Sequence, residues 1–156
     1  MRVVGIDPGL KGGLALIVSE AGQAFAEQMP IAGRSIDVAE LALFLRGWAP
    51  DVVYIEKVGP MPKQGVVSTF TFGEGYGLVK GAIIALGYRL ELVAPQTWKA
   101  QVLAGTKKDK EAAVDYCRRA YPSVRLVPEQ CRVAHDGMAD ALCLAEYGRL
   151  REKGVR

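Results

Sequence analysis

The stretch RVVGIDPGLKGGLALIVSEAGQAFAEQM, residues 2–29, holds three short β-rich runs, RVVGID (2–7), GLALIVS (13–19) and QAFAEQM (23–29), separated by glycine-bearing turns. Runs of this length, broken by turn signals, predict an antiparallel meander. Beyond it the period changes. Over residues 35–48, Val38, Leu41, Leu45 and Trp48 recur at three and four, which predicts an amphipathic helix with Ser35 as N-cap and Pro50 as its stop. DVVYIEKV (51–58) is a compact apolar run suited to a strand buried on both faces. Residues 59–72 read as a Gly/Pro-bearing loop, followed by a helix to about Leu86, a fifth strand at RLELVA (89–94), and helices over 96–104, 109–120 and 136–152. Three strands followed by helix, strand, helix, strand and helices predict an α/β fold. Its five-stranded mixed sheet has three antiparallel strands, then two parallel, with helices on both faces.

Length and composition agree with one domain over residues 1–156. Half of the residues are hydrophobic, and a chain of this size buries roughly two-thirds of the surface its unfolded form exposes. Cys117, Cys131 and Cys143 match no zinc or disulfide framework and are expected to be core thiols in a reducing compartment. No leader is read at the N-terminus, and no stretch approaches the roughly 20 apolar residues of a membrane span. The expected location is therefore cytoplasmic, with no membrane partner. Net charge is +3, unevenly spread. Residues 99–132 carry eight basic side chains against four acidic, a net +4 that leaves the remainder at −1. Such a segment suits a polyanion or simply a solvated face.

Two strands end alike, on Asp7 and Glu56. As parallel neighbours their carboxylates would stand about 5 Å apart at the C-terminal sheet edge, where α/β folds place their sites. HDGMAD (135–140) opens the last helix and puts Asp136 and Asp140 four apart on one face. Asp136 near the helix start could be an N-cap, whereas Asp140 lies beyond the first turn and gains little from the dipole. Four carboxylates with His135 alongside form an oxygen-rich set suited to Mg²⁺ or Mn²⁺ rather than zinc. Two such ions about 4 Å apart would serve phosphodiester hydrolysis by in-line displacement. His135 could instead move protons, contact the phosphate or act as a cap.

Four motifs, GIDPGLKGGLALI, VVYIEKV, PQTWK with the downstream GTKKDKEAAV, and DGMADALCLA, in this order and spacing, resemble the RuvC Holliday junction resolvases of the RNase H-like superfamily, in a bacteriophage-type form. The resemblance implies an RNase H-like sheet and a homodimer with two active sites. It also implies Mg²⁺-dependent symmetric nicking of a four-way DNA junction. By motif, Asp7, Glu56 and Asp140 match acidic metal ligands. Where the family has Asp or His three residues before the last Asp, this chain has Gly137. Asp136 keeps the same helical face and is taken as the fourth ligand, with His135 as the alternative. Lys107, Lys108 and Lys110 precede a helix start, where amides also favour anions, and the resemblance brings them to the junction backbone. Lys63 and Arg118 are assigned to the same DNA-binding surface. Met61 or Phe70, in the loop 59–72, is a candidate wedge against an unstacked base, unless Phe70 and Phe72 are core of the next helix. Trp48 and Trp98 are expected in the core. The glycine-punctuated FGEGYGLVKGAI (72–83) suits close helix packing, for instance across a dimer.

Other functions predict different features. A sugar-kinase-like ATPase shares a motif like GIDPGLKGGLAL but needs a second copy of it in a duplicated domain, and neither is present. Another RNase H-like nuclease would cut an RNA–DNA hybrid or another branched DNA. A non-catalytic junction-binding module would keep the fold without the acids.

Overall fold

The computed structural model describes residues 1–60, 65–106, 111–129 and 131–154. Strands β1 (Arg2–Asp7), β2 (Gly13–Val18) and β3 (Gln23–Gln28) form the expected meander. A two-residue ribbon, β4 (Ile31–Ala32) and β5 (Ser35–Ile36), leads into α1 (Val38–Trp48). There follow β6 (Val52–Glu56), α2 (Val66–Ala85), β7 (Leu90–Val93), α3 (Pro95–Val102), α4 (Ala112–Ala120) and α5 (Asp136–Glu152). The sheet order is β3-β2-β1-β6-β7. β1 is central: it pairs antiparallel with β2 and parallel with β6, and β6 pairs parallel with β7. Among the described residues no helix is long and apolar enough to cross a membrane.

The sheet separates two cores. Val4, Ile6, Leu14, Leu16, Val53 and Ile55 face α1 and α2, meeting Leu41, Leu45, Val79 and Ile83. Their neighbours Val3, Ala15, Ile17, Val52 and Tyr54 face α3, α4 and α5. Alternation along each strand thus feeds both faces, as expected of buried central strands. α5 is the most enclosed helix: Gly137–Ala139 and Ala141–Gly148 are buried, and Asp140 interrupts the run. It lies against β1, β2, β3 and β6 on one side and α3 and α4 on the other.

Backbone contact between α5 and the sheet sets its position. A Cβ on Gly5 would overlap the carbonyl oxygen of Ala141 and come 3.0 Å from the Cα of Ala145, so helix and strand touch main chain to main chain there. At the helix start Gly137 forms a bridge to Gly12. A Cβ on Gly137 would stand 2.6 Å from the Cα of Gly12, and closer still to the Lys11 carbonyl oxygen.

The structure corrects several expectations. α1 is capped by Asp37, whose Oδ1 accepts from the Glu40 N–H at 3.0 Å, because Ser35 is taken up by pairing with Ala32 in the ribbon. The predicted loop 59–72 ends early, since α2 begins at Val66. Val66, Val67, Thr69, Phe70 and Thr71 are poor helix formers, but extending a helix anchored on the sheet by Gly75, Val79 and Ile83 requires no new nucleus. Phe70 is therefore a helical residue and is 74% exposed, so it is not core. Cys117 and Cys143 are buried thiols with sulfurs 3.6 Å apart, whereas Cys131 is exposed on the connection between α4 and α5. Trp48 is half-buried at the edge of one core, its ring tilted against Phe44.

Gly137→Ala should lower the melting temperature by several degrees, corresponding to about 1–3 kcal/mol of overpacking strain, because the opposing atoms are backbone and cannot swing away. A thermal melt equal to that of the parent would contradict the close approach of α5.

Candidate functional site

The register of β1 with β6 runs from Val3↔Val52 to Ile6↔Ile55, so the next step sets Asp7 beside Glu56 at the C-terminal ends of two neighbouring parallel strands. Asp140 joins them from α5 because the contacts at Gly5 and Gly137 hold that helix over β1. The three carboxylates interact electrostatically. Burial, then the charges of Asp140 and Glu56, push Asp7 up from its ordinary 3.8 to about 7, against a backbone hydrogen bond from Gly9 and the nearby Lys99. Asp140 rises to about 6, again chiefly through burial, with Glu56 and Asp136 adding to the rise and Lys99 opposing it. Both are half-buried at the edge of the core, where water solvates their charges poorly.

Asp136 is the exposed first residue of α5, one turn before Asp140 on the same face. It is not the cap. That role falls to His135, whose Nδ1 accepts from the Met138 N–H at 3.3 Å. Burial lowers the His135 pKa, with Asp136 opposing, which favours the neutral ring an acceptor nitrogen requires. One ring nitrogen of His135 is thus engaged in holding the helix start, and Asp136 is left to face outward.

Two residues at the site were not singled out by sequence reasoning. Trp98, expected only in the core, is fully buried, but its indole N–H donates to Glu56 Oε2 at 2.8 Å. Lys99, counted only within the basic segment, faces Asp7 and Asp140 closely enough to offset their repulsion, and its ammonium lies 5.0 Å from the Trp98 ring centre. The signal available in the sequence was the PQTWK motif, which opens α3 directly after the strand neighbouring Glu56 and sets its Trp–Lys pair one turn into the helix.

The proposed DNA-binding residues are placed less uniformly. Phe70 stands on the exposed N-terminal part of α2. Arg118 lies on the solvent side of α4, with Asp115 Oδ1 at 3.8 Å. Met61, Lys63, Lys107, Lys108 and Lys110 lie outside the described residues.

The donor set fits a hard divalent cation, being carboxylate oxygens carrying more negative charge than the site neutralises. The side chains do not form a closed cluster: among the described residues no three His, Cys, Asp or Glu groups converge closely enough to hold one ion.

No family model and no curated protein matches the sequence. Solved structures do match in fold. The chain superposes over 99% of its length on the Thermus thermophilus RuvC structure, covering 98% of that chain at 23% identity with a TM-score of 0.69. T. thermophilus RuvC in complex with Holliday junction substrate gives a TM-score of 0.70 at 22% identity, with coverage of 99% of this chain and 97% of that one. The fold is that of RuvC. The yeast mitochondrial Holliday junction resolvase Ydc2 shares it more distantly, with a TM-score of 0.58 and 15% identity over 98% of this chain and 79% of that one.

Asp7 and Asp140 bind protons more tightly in the fold than in the unfolded chain. Their contribution to stability is therefore complete below the unfolded value near 3.8 and is withdrawn as pH rises through about 6 and 7. In chelator, the melting temperature of the parent should fall across that window more steeply than that of Asp7→Asn. The variant should melt higher at pH 8, on a scale of about 2–4 °C per kcal/mol for a chain of this size. Mn²⁺ should raise the parent at pH 8 and help the variant less. Parallel pH profiles in parent and variant would remove Asp7 from the charge cluster.

Proposed function

We propose that the protein is a metal-dependent endonuclease that resolves four-way DNA junctions, nicking two symmetric strands as a homodimer. The observation that carries this reading is the electrostatic coupling of Asp7, Glu56 and Asp140 at the C-terminal sheet edge. It occurs in a fold similar over its whole length to a RuvC in complex with Holliday junction substrate.

Asp7, Glu56 and Asp140, with Asp136 as the fourth, are the residues that would hold Mg²⁺ or Mn²⁺, two ions per site. Bound there, such ions supply an activated water and charge compensation on the attacking and leaving oxygens. The remaining work belongs to the chain. The high proton affinities of Asp7 and Asp140 mean that cation loading displaces protons and strengthens with pH through neutrality. Lys99 places a fixed positive charge beside the acids, where an approaching phosphodiester needs one. Neutral His135 holds the start of α5 and so the spacing of Asp136 and Asp140. The basic segment supplies phosphate contacts, each adding about 0.9 to the log–log salt slope on duplex DNA.

The decisive measurement is cleavage of a synthetic four-way junction in Mg²⁺, Mn²⁺ or chelator. Paired symmetric nicks are expected with either ion and none in chelator. Equal or better cutting of an RNA–DNA hybrid would replace this reading with that of another RNase H-like nuclease. Asp140→Asn should reduce cleavage by at least about 100-fold and leave junction binding intact or tighter, since one negative charge near the phosphates is removed. Asp136→Asn should lower cleavage without lowering the melting temperature, because the cap is His135. Full activity of Asp136→Asn would transfer the fourth ligand to another residue.

The dimer contact is assigned to the outer face of α2. Val66, Phe70, Gly73, Gly77, Gly81 and Ile84 fall on one stripe at helical spacing, and all are exposed. The opposite face, with Gly75, Val79 and Ile83, is buried on the sheet, so the helix is apolar on both sides. A second copy laying the same stripe antiparallel or parallel across it satisfies a two-fold interface. Nothing lies within 4 Å of a Cβ built on Gly77, so the single chain tolerates a side chain there. Gly77→Glu should therefore keep the fold and yield monomer in sedimentation. An unchanged dimer would move the interface elsewhere.

A further inference from the structure

The core on the α5 side of the sheet contains an aromatic residue whose polar atom leaves the core. Trp98 is fully buried, with its ring in the cluster that includes Val93, Val102, Ala141 and Leu142. Its position follows from topology. β7 pairs with β6 so that Val93 lies opposite Glu56, and α3 starts two residues later at Pro95, in the first helical position that proline favours. Trp98 then falls in the first turn and a half of that helix, beside the end of β6. A buried indole N–H must find an acceptor, and here the acceptor is Glu56 Oε2 at 2.8 Å.

We propose that Trp98 is a positioning residue for Glu56: its indole N–H fixes one carboxylate oxygen and leaves Oε1 as the atom presented to the cation. This rests on the reading of Glu56 as a metal ligand. Three properties of the indole suit the task. It is a donor only, so the hydrogen bond cannot reverse when protons are exchanged at the neighbouring acids. It is neutral, so Glu56 keeps the whole negative charge that a divalent cation needs, whereas Lys or Arg at that place would compete with the ion. It is also rigid, because the ring is packed into the core, so it restrains a side chain with three free torsions at the open end of a strand. Lys99 shares the same indole through its ring face, 5.0 Å from the centroid, so one residue braces both a negative and a positive member of the site.

The test separates the N–H from the ring. Replacing Trp98 with 3-benzothienylalanine, in which sulfur stands in place of the ring N–H, preserves shape and aromatic face. Trp98→Phe is the simpler companion and keeps an aromatic ring for Lys99. With the analogue, the melting temperature and junction affinity in chelator should match the parent. Affinity for Mn²⁺ alone, by titration calorimetry on the full chain, should fall about 10-fold, the usual size of an outer-shell effect. Junction cleavage should be lost at limiting Mn²⁺ and recovered at high Mn²⁺. Trp98→Phe should shift the Mn²⁺ affinity in the same direction even where its melt is lower. Parent-like Mn²⁺ affinity in both proteins would overturn the positioning role. A parent that binds no Mn²⁺ would overturn it together with the ligand reading of Glu56. A parent that binds Mn²⁺ tightly, loses affinity in both variants, yet cuts no junction would support Trp98 and sink only the junction substrate.

Discussion

The main-chain contact between α5 and the sheet is the constraint on which the site depends. Gly5 on β1 lets Ala141 and Ala145 approach without an intervening side chain, and Gly12 meets Gly137 in the same way at the helix start. Packing at that distance fixes both the height and the rotation of the helix, because interiors are close-packed and cannot absorb a misplaced turn. Asp140, the residue immediately before Ala141 in that tight contact, is thereby carried to the end of β1, beside Asp7. A helix held a side chain further out would leave the two carboxylates solvated and apart.

That placement has an electrostatic cost the structure leaves visible. Asp7 and Asp140 sit at the boundary of a core that solvates charge poorly, and both hold protons far above the ordinary carboxylate range. Lys99 and the Gly9 amide offset part of the repulsion. Beside this excess negative charge the buried indole N–H of Trp98, which donates to Glu56, carries no charge of its own. Elsewhere the chain treats its buried carboxylate in the opposite way. Glu146, buried in α5, is neutralised by Arg149 through two hydrogen bonds of 2.5 and 2.6 Å, with Tyr121 donating to it as well. The same helix therefore carries one carboxylate fully paired for stability and another left short of cations at its open end.

The two faces of the sheet also divide the labour. The side covered by α3, α4 and α5 brings together the acids, Trp98 and Lys99. The side covered by α1 and α2 is closed by large aliphatic residues, and α2 presents its second apolar stripe to solvent. β1 and β6 belong to both cores through alternate side chains, so a partner bound on α2 and a substrate at the strand ends would share the same two strands as support.

What could be read from the amino-acid order alone was whatever is local in the chain. Short β-rich runs broken by glycine-bearing turns marked the three-strand meander, a change to helical spacing marked α1, and two strands ending in acids with two aspartates four apart predicted an acidic site at the C-terminal edge of a mixed sheet. Boundaries failed where tertiary contacts override propensity: Ser35 is drawn into a ribbon and Val66–Thr71 into α2. Gly137 looked like a missing acid, and only the packed structure gives the reason, since Lys11 and Gly12 occupy the space any side chain there would need. The assignment of His135 as the cap, the pairing of Trp98 with a carboxylate 42 residues away, and the approach of Lys99 to Asp7 were likewise decided in three dimensions. Periodicity reports which face of an element is buried; it carries no information about which distant element covers that face, and the chemistry of this site lies in those distant contacts.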